Sequence, residues 1–151
     1  MRQRVLLHMS VLVSLFIHGD PKPQPRARVY VRGGHARAYT PALANDWKAA
    51  IVRAIRSSGA SLGHRGAVLA YCTFYLPRPA SHWGKQGLRK GAPARPTSPR
   101  FDIDNLVKST FDAISDAGLW LDDGQVITVS ASKHWAQLVG PSGMQLEVHA
   151  L

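Results

Sequence analysis

Hydrophobic positions in this chain fall into two periods, and the changes between them divide it into elements. Val11, Val13, Leu15 and Ile17 alternate and predict a core strand over residues 11–18. The run MRQRVLLHMSVLVSLFI has the outline of a signal peptide, but His8 interrupts it and no small-x-small cleavage pattern follows. Residues 1–10 are read as an N-terminal extension, with Met9 an alternative start, and 11–151 as one domain. Leu43, Trp47, Ala50, Ile51, Ala54 and Ile55 have helical spacing. Thr40-Pro41 supplies an N-cap and a first-turn proline, and Ser57-Ser58-Gly59 a stop, so a helix is expected over 41–57.

Residues 67–76 are rich in aromatic and β-branched side chains. Val68, Ala70, Cys72, Phe74 and Leu76 share one face, and Leu69, Tyr71, Thr73 and Tyr75 the other, as in a central strand covered on both sides. Cys72 reads there as a small buried hydrophobe. Ile103, Leu106, Val107, Thr110, Phe111, Ile114 and Ala117 mark a second helix, 104–117, capped by Gly118. Strands are expected at 125–135 and 143–150, joined as a hairpin by Gly140-Pro141-Ser142-Gly143, with Met144, Leu146 and Val148 facing the core. The fold class is α+β: a single domain with a mostly antiparallel or mixed sheet covered by two main helices.

Two segments lack periodicity. DPKPQPRARVYVRGGHARAYT is extended by its prolines and turns at Gly33-Gly34, a basic hairpin suited to a phosphate backbone or merely solvated. Residues 77–100 form a long basic loop with Trp83 placed to stack on a base; a solvated linker is the plain alternative.

Charge changes the picture. The 151 residues carry a formal net charge of +10, which favours a nucleic-acid partner. One cysteine excludes internal disulfides and multi-cysteine zinc sites, and fits a reducing cytoplasm. Of nine acidic residues, six (Asp102, Asp104, Asp112, Asp116, Asp122 and Asp123) fall in one short stretch. Carboxylates gathered in a basic protein suggest a cation site within a polyanion-binding surface. An N-cap at Asp102 or Asp104 and an ordinary turn at Asp122-Asp123-Gly124 account for single residues, not for all four. The spacing excludes an EF-hand, having neither its glycine nor its terminal glutamate.

Asp102-Ile103-Asp104-Asn105-Leu106, Lys108, Phe111-Asp112-Ala113, Ala117-Gly118, Leu121-Asp122-Asp123, Gln125-Val126 and Lys133 together resemble the signature of the RusA-type Holliday-junction resolvases. The likeness is dense over residues 100–133. It implies a small homodimeric endonuclease, often prophage-borne, that resolves four-way DNA junctions by paired nicks using Mg²⁺, with Mn²⁺ able to substitute. It places metal-binding carboxylates on Asp102, Asp104 and Asp123 and the essential lysine on Lys108. Phosphodiester hydrolysis suits that set, because carboxylate-held magnesium activates water and offsets charge on phosphate. Lys22, Arg26, Arg28, Lys85, Arg89, Arg100 and Lys133 are the expected DNA contacts, and no membrane association is expected. Asp123 must then return beside Asp102 and Asp104. A basic module that binds branched or single-stranded nucleic acid without cutting it is the competing reading.

Overall fold

The computed structural model describes residues 9–137 and 140–151. The chain forms β1 (Ser10–His18), β2 (Arg28–Arg32), β3 (His35–Tyr39), α1 (Asn45–Ser57), β4 (Val68–Leu76), the short β5 (Trp83–Gly84) and β6 (Gly87–Leu88), α2 (Ile103–Ala117), β7 (Val126–Trp135) and β8 (Gly143–Ala150). Four strands make the main sheet in the order β1-β8-β4-β7, with β4 and β7 parallel and the other pairs antiparallel. The α+β class and mixed sheet match the sequence reading.

Both helices pack on one face of the sheet. Trp47, Ile51 and Ile55 of α1 and Leu106, Ile114 and Ala117 of α2 are buried against Val68, Phe74, Met144, Leu146 and Val148. The helices bind each other through Lys48 Nζ to Asp112 Oδ2, 3.7 Å, and through Arg56 Nη2 donating to the Asp116 carbonyl, 3.0 Å. Gly118, left-handed at φ 81°, ends α2 as its position predicts.

Four expectations need correction. The last two strands are not a hairpin: β8 lies between β1 and β4, while β7 lies beyond β4. Sequence proximity misled here, because the 140–143 turn signal says that the chain bends and not which strand it meets. Gly143 opens β8 where a Cβ would meet the Ile17 carbonyl oxygen and the Phe16 ring. Second, α1 begins at Asn45 behind a turn in which Asn45 N–H donates to the Ala42 carbonyl; Thr40 and Pro41 precede it, and Leu43 is exposed. Third, a bulge between Val11 and Val13 turns Val11 out to solvent. Fourth, β4 is fully covered on one face only: its other face is half-buried, with Tyr71 exposed.

The β2–β3 ribbon is a separate two-stranded sheet, turned by Gly33 and Gly34 at φ 60° and 76°. All of its residues are exposed. No helix among the described residues is long and apolar enough to cross a membrane.

Cys72 is buried as expected, and burial pushes its thiol up to about 12. The native protein should therefore react with a thiol reagent at pH 8 about 10³-fold more slowly than the denatured chain. Above about pH 8.5 the unfolded chain releases this proton while the folded chain keeps it, so stability should fall as pH rises toward 12. Stopped-flow thiol titration and urea melts across that window check both outcomes.

Candidate active site at the two ends of the second helix

The unit β4–α2–β7 is a crossover, so α2 runs against both strands. Its N-terminus lies at the carboxyl ends of β4 and β7, the edge where open sheets with helical crossovers commonly bind ligands. Lys133 marks the spot: its Nζ donates to the Phe101 carbonyl at 2.7 Å, immediately before Asp102. The proline-rich segment is tied to the same end, since Ser109 Oγ donates to the Lys22 carbonyl at 2.7 Å and Gln24 N–H to the Asn105 carbonyl at 2.8 Å.

Asp102 occupies the N-cap of α2, yet its side chain makes no capping hydrogen bond. Asp104 follows in the first turn, exposed. Among the described residues neither carboxylate takes part in an ion pair, so both are free for a ligand. Lys108 stands one turn further along the helix, largely exposed, with its Nζ 3.9 Å from Asp112 Oδ1. That contact is loose and solvent-screened and leaves the ammonium available. Asp112 bridges Lys108 and Lys48, a structural task that ties α2 to α1.

Asp122 and Asp123 divide the acidic turn between them. Asp122 Oδ1 accepts from Gly124 N–H at 2.7 Å, and Gln125 Oε1 accepts from Leu121 N–H and Asp122 N–H, completing a capping box. Gln125 Nε2 donates to the His64 and Gly66 carbonyls at 2.9 and 2.8 Å. Asp122 and Gln125 thus build the turn, and Asp123 is displayed, exposed and unpaired among the described residues.

The display is at the wrong end of the helix for a site within one chain. Fifteen helical residues span about 22 Å, and the seven residue steps from Val126 to Lys133 about 23 Å. Asp102, Asp104 and Lys108 share the first two turns of α2; Asp123 does not join them. Accordingly, among the described residues no three His, Cys, Asp or Glu side chains lie close enough to hold a metal ion.

The expected DNA contacts separate as well. Lys22 and Arg100 line a cleft of about 550 Å³ that continues from Phe101, together with Arg78 and Arg95. Arg26 and Arg28 lie exposed at the root of the β2–β3 ribbon, and Lys85 on the turn between β5 and β6. Arg89 braces that small turn, its Nε donating to the Trp83 carbonyl at 2.8 Å. Lys133 is half-buried at Phe101 rather than solvated. The sequence reading gave Trp135 no role, yet it anchors the loop by donating from Nε1 to the Pro93 carbonyl at 3.0 Å. A lone tryptophan ending a strand carries no periodic signal of such a contact.

A small α+β domain with free carboxylates beside a cationic cleft has the outline of a protein that handles nucleic-acid phosphates. The model of one family, endodeoxyribonuclease RusA, matches residues 18–142, and the chain belongs to that family. A segment of 32 residues is 56% identical to crossover junction endodeoxyribonuclease RusA of Enterobacteria phage 82 and to its namesake in Escherichia coli strain K12, covering 21% of this chain. In these matches the chain spans 27% of the relatives' length. Over 129 residues it is 26% identical to the uncharacterized protein YqaN of Bacillus subtilis strain 168, covering 83% of this chain and 89% of that one.

Gln125 holds both flanks of the acidic turn, so Gln125→Ala should destabilise the fold by about 1–3 kcal/mol through two main-chain carbonyls and two N–H groups left without their partner. Equilibrium urea unfolding checks this, and Asp122→Ala should show a smaller loss of the same kind.

Proposed function

We propose that this protein is a divalent-cation-dependent endonuclease acting on four-way DNA junctions, and that each of its sites is completed by a second copy of the chain. The observation that carries the reading is the pair of unengaged carboxylates, Asp102 and Asp104, the latter one helical turn from Lys108, next to the cleft lined by Lys22, Arg95 and Arg100. Carboxylate oxygens with no protein partner are the donor set that a hard divalent cation takes, and Mg²⁺ needs only one or two from protein beside waters and phosphate. When bound, the cation supplies an activated water and a counter-charge for the phosphate. Asp102 and Asp104 would hold it, and Lys108 would place its ammonium against the phosphate oxygens as negative charge builds there. Lys133 fixes the backbone at Phe101 and so sets where Asp102 points.

Asp123 enters this site from the partner. Strand β7 is an edge of the main sheet, and Ile127 and Val129 on it are 61% and 50% exposed. A long edge strand with exposed apolar residues is a template for pairing. An antiparallel pair centred on Thr128 would set Ile127 against the partner's Val129 and bring Asp123 toward the partner's Lys133, beside that chain's Asp102. A twofold assembly with two sites also suits a junction presenting two equivalent strands.

Two experiments test this. Asp104→Asn should lower junction cleavage in Mg²⁺ by at least about 10²-fold and leave junction binding intact or tighter, because negative charge near phosphate is removed. Nicking-free binding by the unaltered protein would instead favour a non-catalytic module. Mixing Asp104→Asn with Asp123→Asn subunits should restore nicking of one strand, since the mixed dimer contains one site with both groups intact. Continued inactivity of well-exchanged mixtures would overturn the shared site.

A further inference from the structure

The 77–100 loop borders two adjoining open cavities at the carboxyl ends of β4 and β7. One, of about 680 Å³, is walled by Tyr75, Trp83, His134 and Trp135. The other, of about 550 Å³, is the cationic cleft lined by Lys22, Arg78, Arg95 and Arg100, with one carboxylate, Asp20, which accepts from Ser142 Oγ. They share Arg78, Arg95 and Trp135. Between them stands a built ridge. Trp135 is pinned to Pro93, the Arg78 guanidinium lies 5.4 Å from its ring centre, and His82 meets it edge-on at 5.3 Å. Arg78 Nη1 donates to the same Pro93 carbonyl at 3.0 Å. Among the described residues no carboxylate pairs with Lys22, Arg78, Arg95 or Arg100. His82 Nδ1 is buried without a hydrogen-bond partner, and His82 lines the cationic cavity.

We infer that the two cavities form one site for a single unpaired nucleotide of the DNA substrate, the base among the aromatic rings and its phosphate on Lys22, Arg95 and Arg100. Flat apolar rings offer stacking to any base, while clustered unpaired cations attract phosphate. Aromatic rings predominate in the first cavity and cations in the second, and the shared Arg78, Arg95 and Trp135 link them at nucleotide scale. A base held in a duplex cannot reach such a pocket, so it must be extruded, and a branch point is where unstacking costs least. Each cavity lies in the size range of small-molecule sites. The cationic half touches Phe101, one residue before Asp102, so an extruded nucleotide would set the register of the phosphodiester presented to the acids. The site deepens the junction-cutting reading and rests on it for the identity of the strand, but its binding chemistry is testable separately.

The test is photo-crosslinking of the full chain, without Mg²⁺, to a short single-stranded oligonucleotide carrying one 5-iododeoxyuridine, with peptide mapping. Crosslinks should fall on Tyr75, Trp83 or Trp135, and the same oligonucleotide annealed into a duplex should lose them. Arg95→Gln, a surface change that spares the ridge, should weaken oligonucleotide binding about tenfold and reduce the slope of log K against log salt by about 0.7. Crosslinks confined to Tyr30 and Tyr39, equal crosslinking of the duplex, or an unchanged slope would each overturn the site. Junction cleavage is scored apart. A protein that crosslinks as stated but never cuts keeps the pocket and loses the nuclease, and the reverse outcome loses the pocket alone.

Discussion

A rigid helix with both ends tied down is the constraint on which the rest depends. At its start α2 is held by Lys133 to the Phe101 carbonyl, by Ser109 to the Lys22 carbonyl and by Gln24 to the Asn105 carbonyl. Past its end, Gly63 N–H donates to the Gly118 carbonyl at 2.7 Å, and Gln125 joins the following turn to His64 and Gly66. Between the ties, Leu106, Ile114 and Ala117 are locked in the core, so the helix cannot slide toward either end without opening close packing. The two acidic groups therefore stand about a helix length apart in any one chain. Association between copies would unite them without unfolding, and in the proposed shared site the edge strand β7 would bring them together.

Charge is sorted over the surface in a way that fits this geometry. By strand alternation, the sheet face away from the helices carries Ser14, Phe16 and His18 of β1, Tyr71 and Tyr75 of β4, and Glu147 and His149 of β8. No lysine or arginine of the four main-sheet strands lies on that face. The positive excess gathers instead on the β2–β3 ribbon and around the 77–100 loop, at the end of the sheet where α2 begins. A polyanion would be drawn to that end, where Asp20, Asp102 and Asp104 are the exceptions in sign.

What the sequence disclosed depended on the range of the interactions involved. The period of α2, its Gly118 cap, the alternation of β4 and the Gly33-Gly34 turn are set by neighbours along the chain, and each was legible. Placement of β8 between β1 and β4 depends on partners far apart in sequence, and a turn signal at 140–143 could not reveal it. The same holds for the long loop, whose form rests on Arg78 and Trp135 meeting at the Pro93 carbonyl, the latter contact bridging 42 positions. At the site, the aspartates could be read as a group but their division could not. Whether Asp122 or Asp123 turns inward is settled by Gln125 reaching back, a contact that adjacent identical residues conceal.

Asp102 is where a local rule is broken. An N-cap aspartate normally accepts an N–H of the first turn and contributes about 1 kcal/mol to its helix. Here the residue has the cap position and an extended backbone, φ −58° and ψ 126°, but not the bond. Asp122, some twenty positions on, has the same side chain in a cap position and makes its bond at 2.7 Å. The fold thus uses an aspartate as a cap where only a turn is needed and leaves one uncommitted at the helix start, next to the Phe101 that lines the cationic cleft. Sequences depart from local consistency mainly at functional positions. The contrast between these two caps argues from physics, apart from any likeness to relatives, that Asp102 is kept free for something the chain itself does not supply.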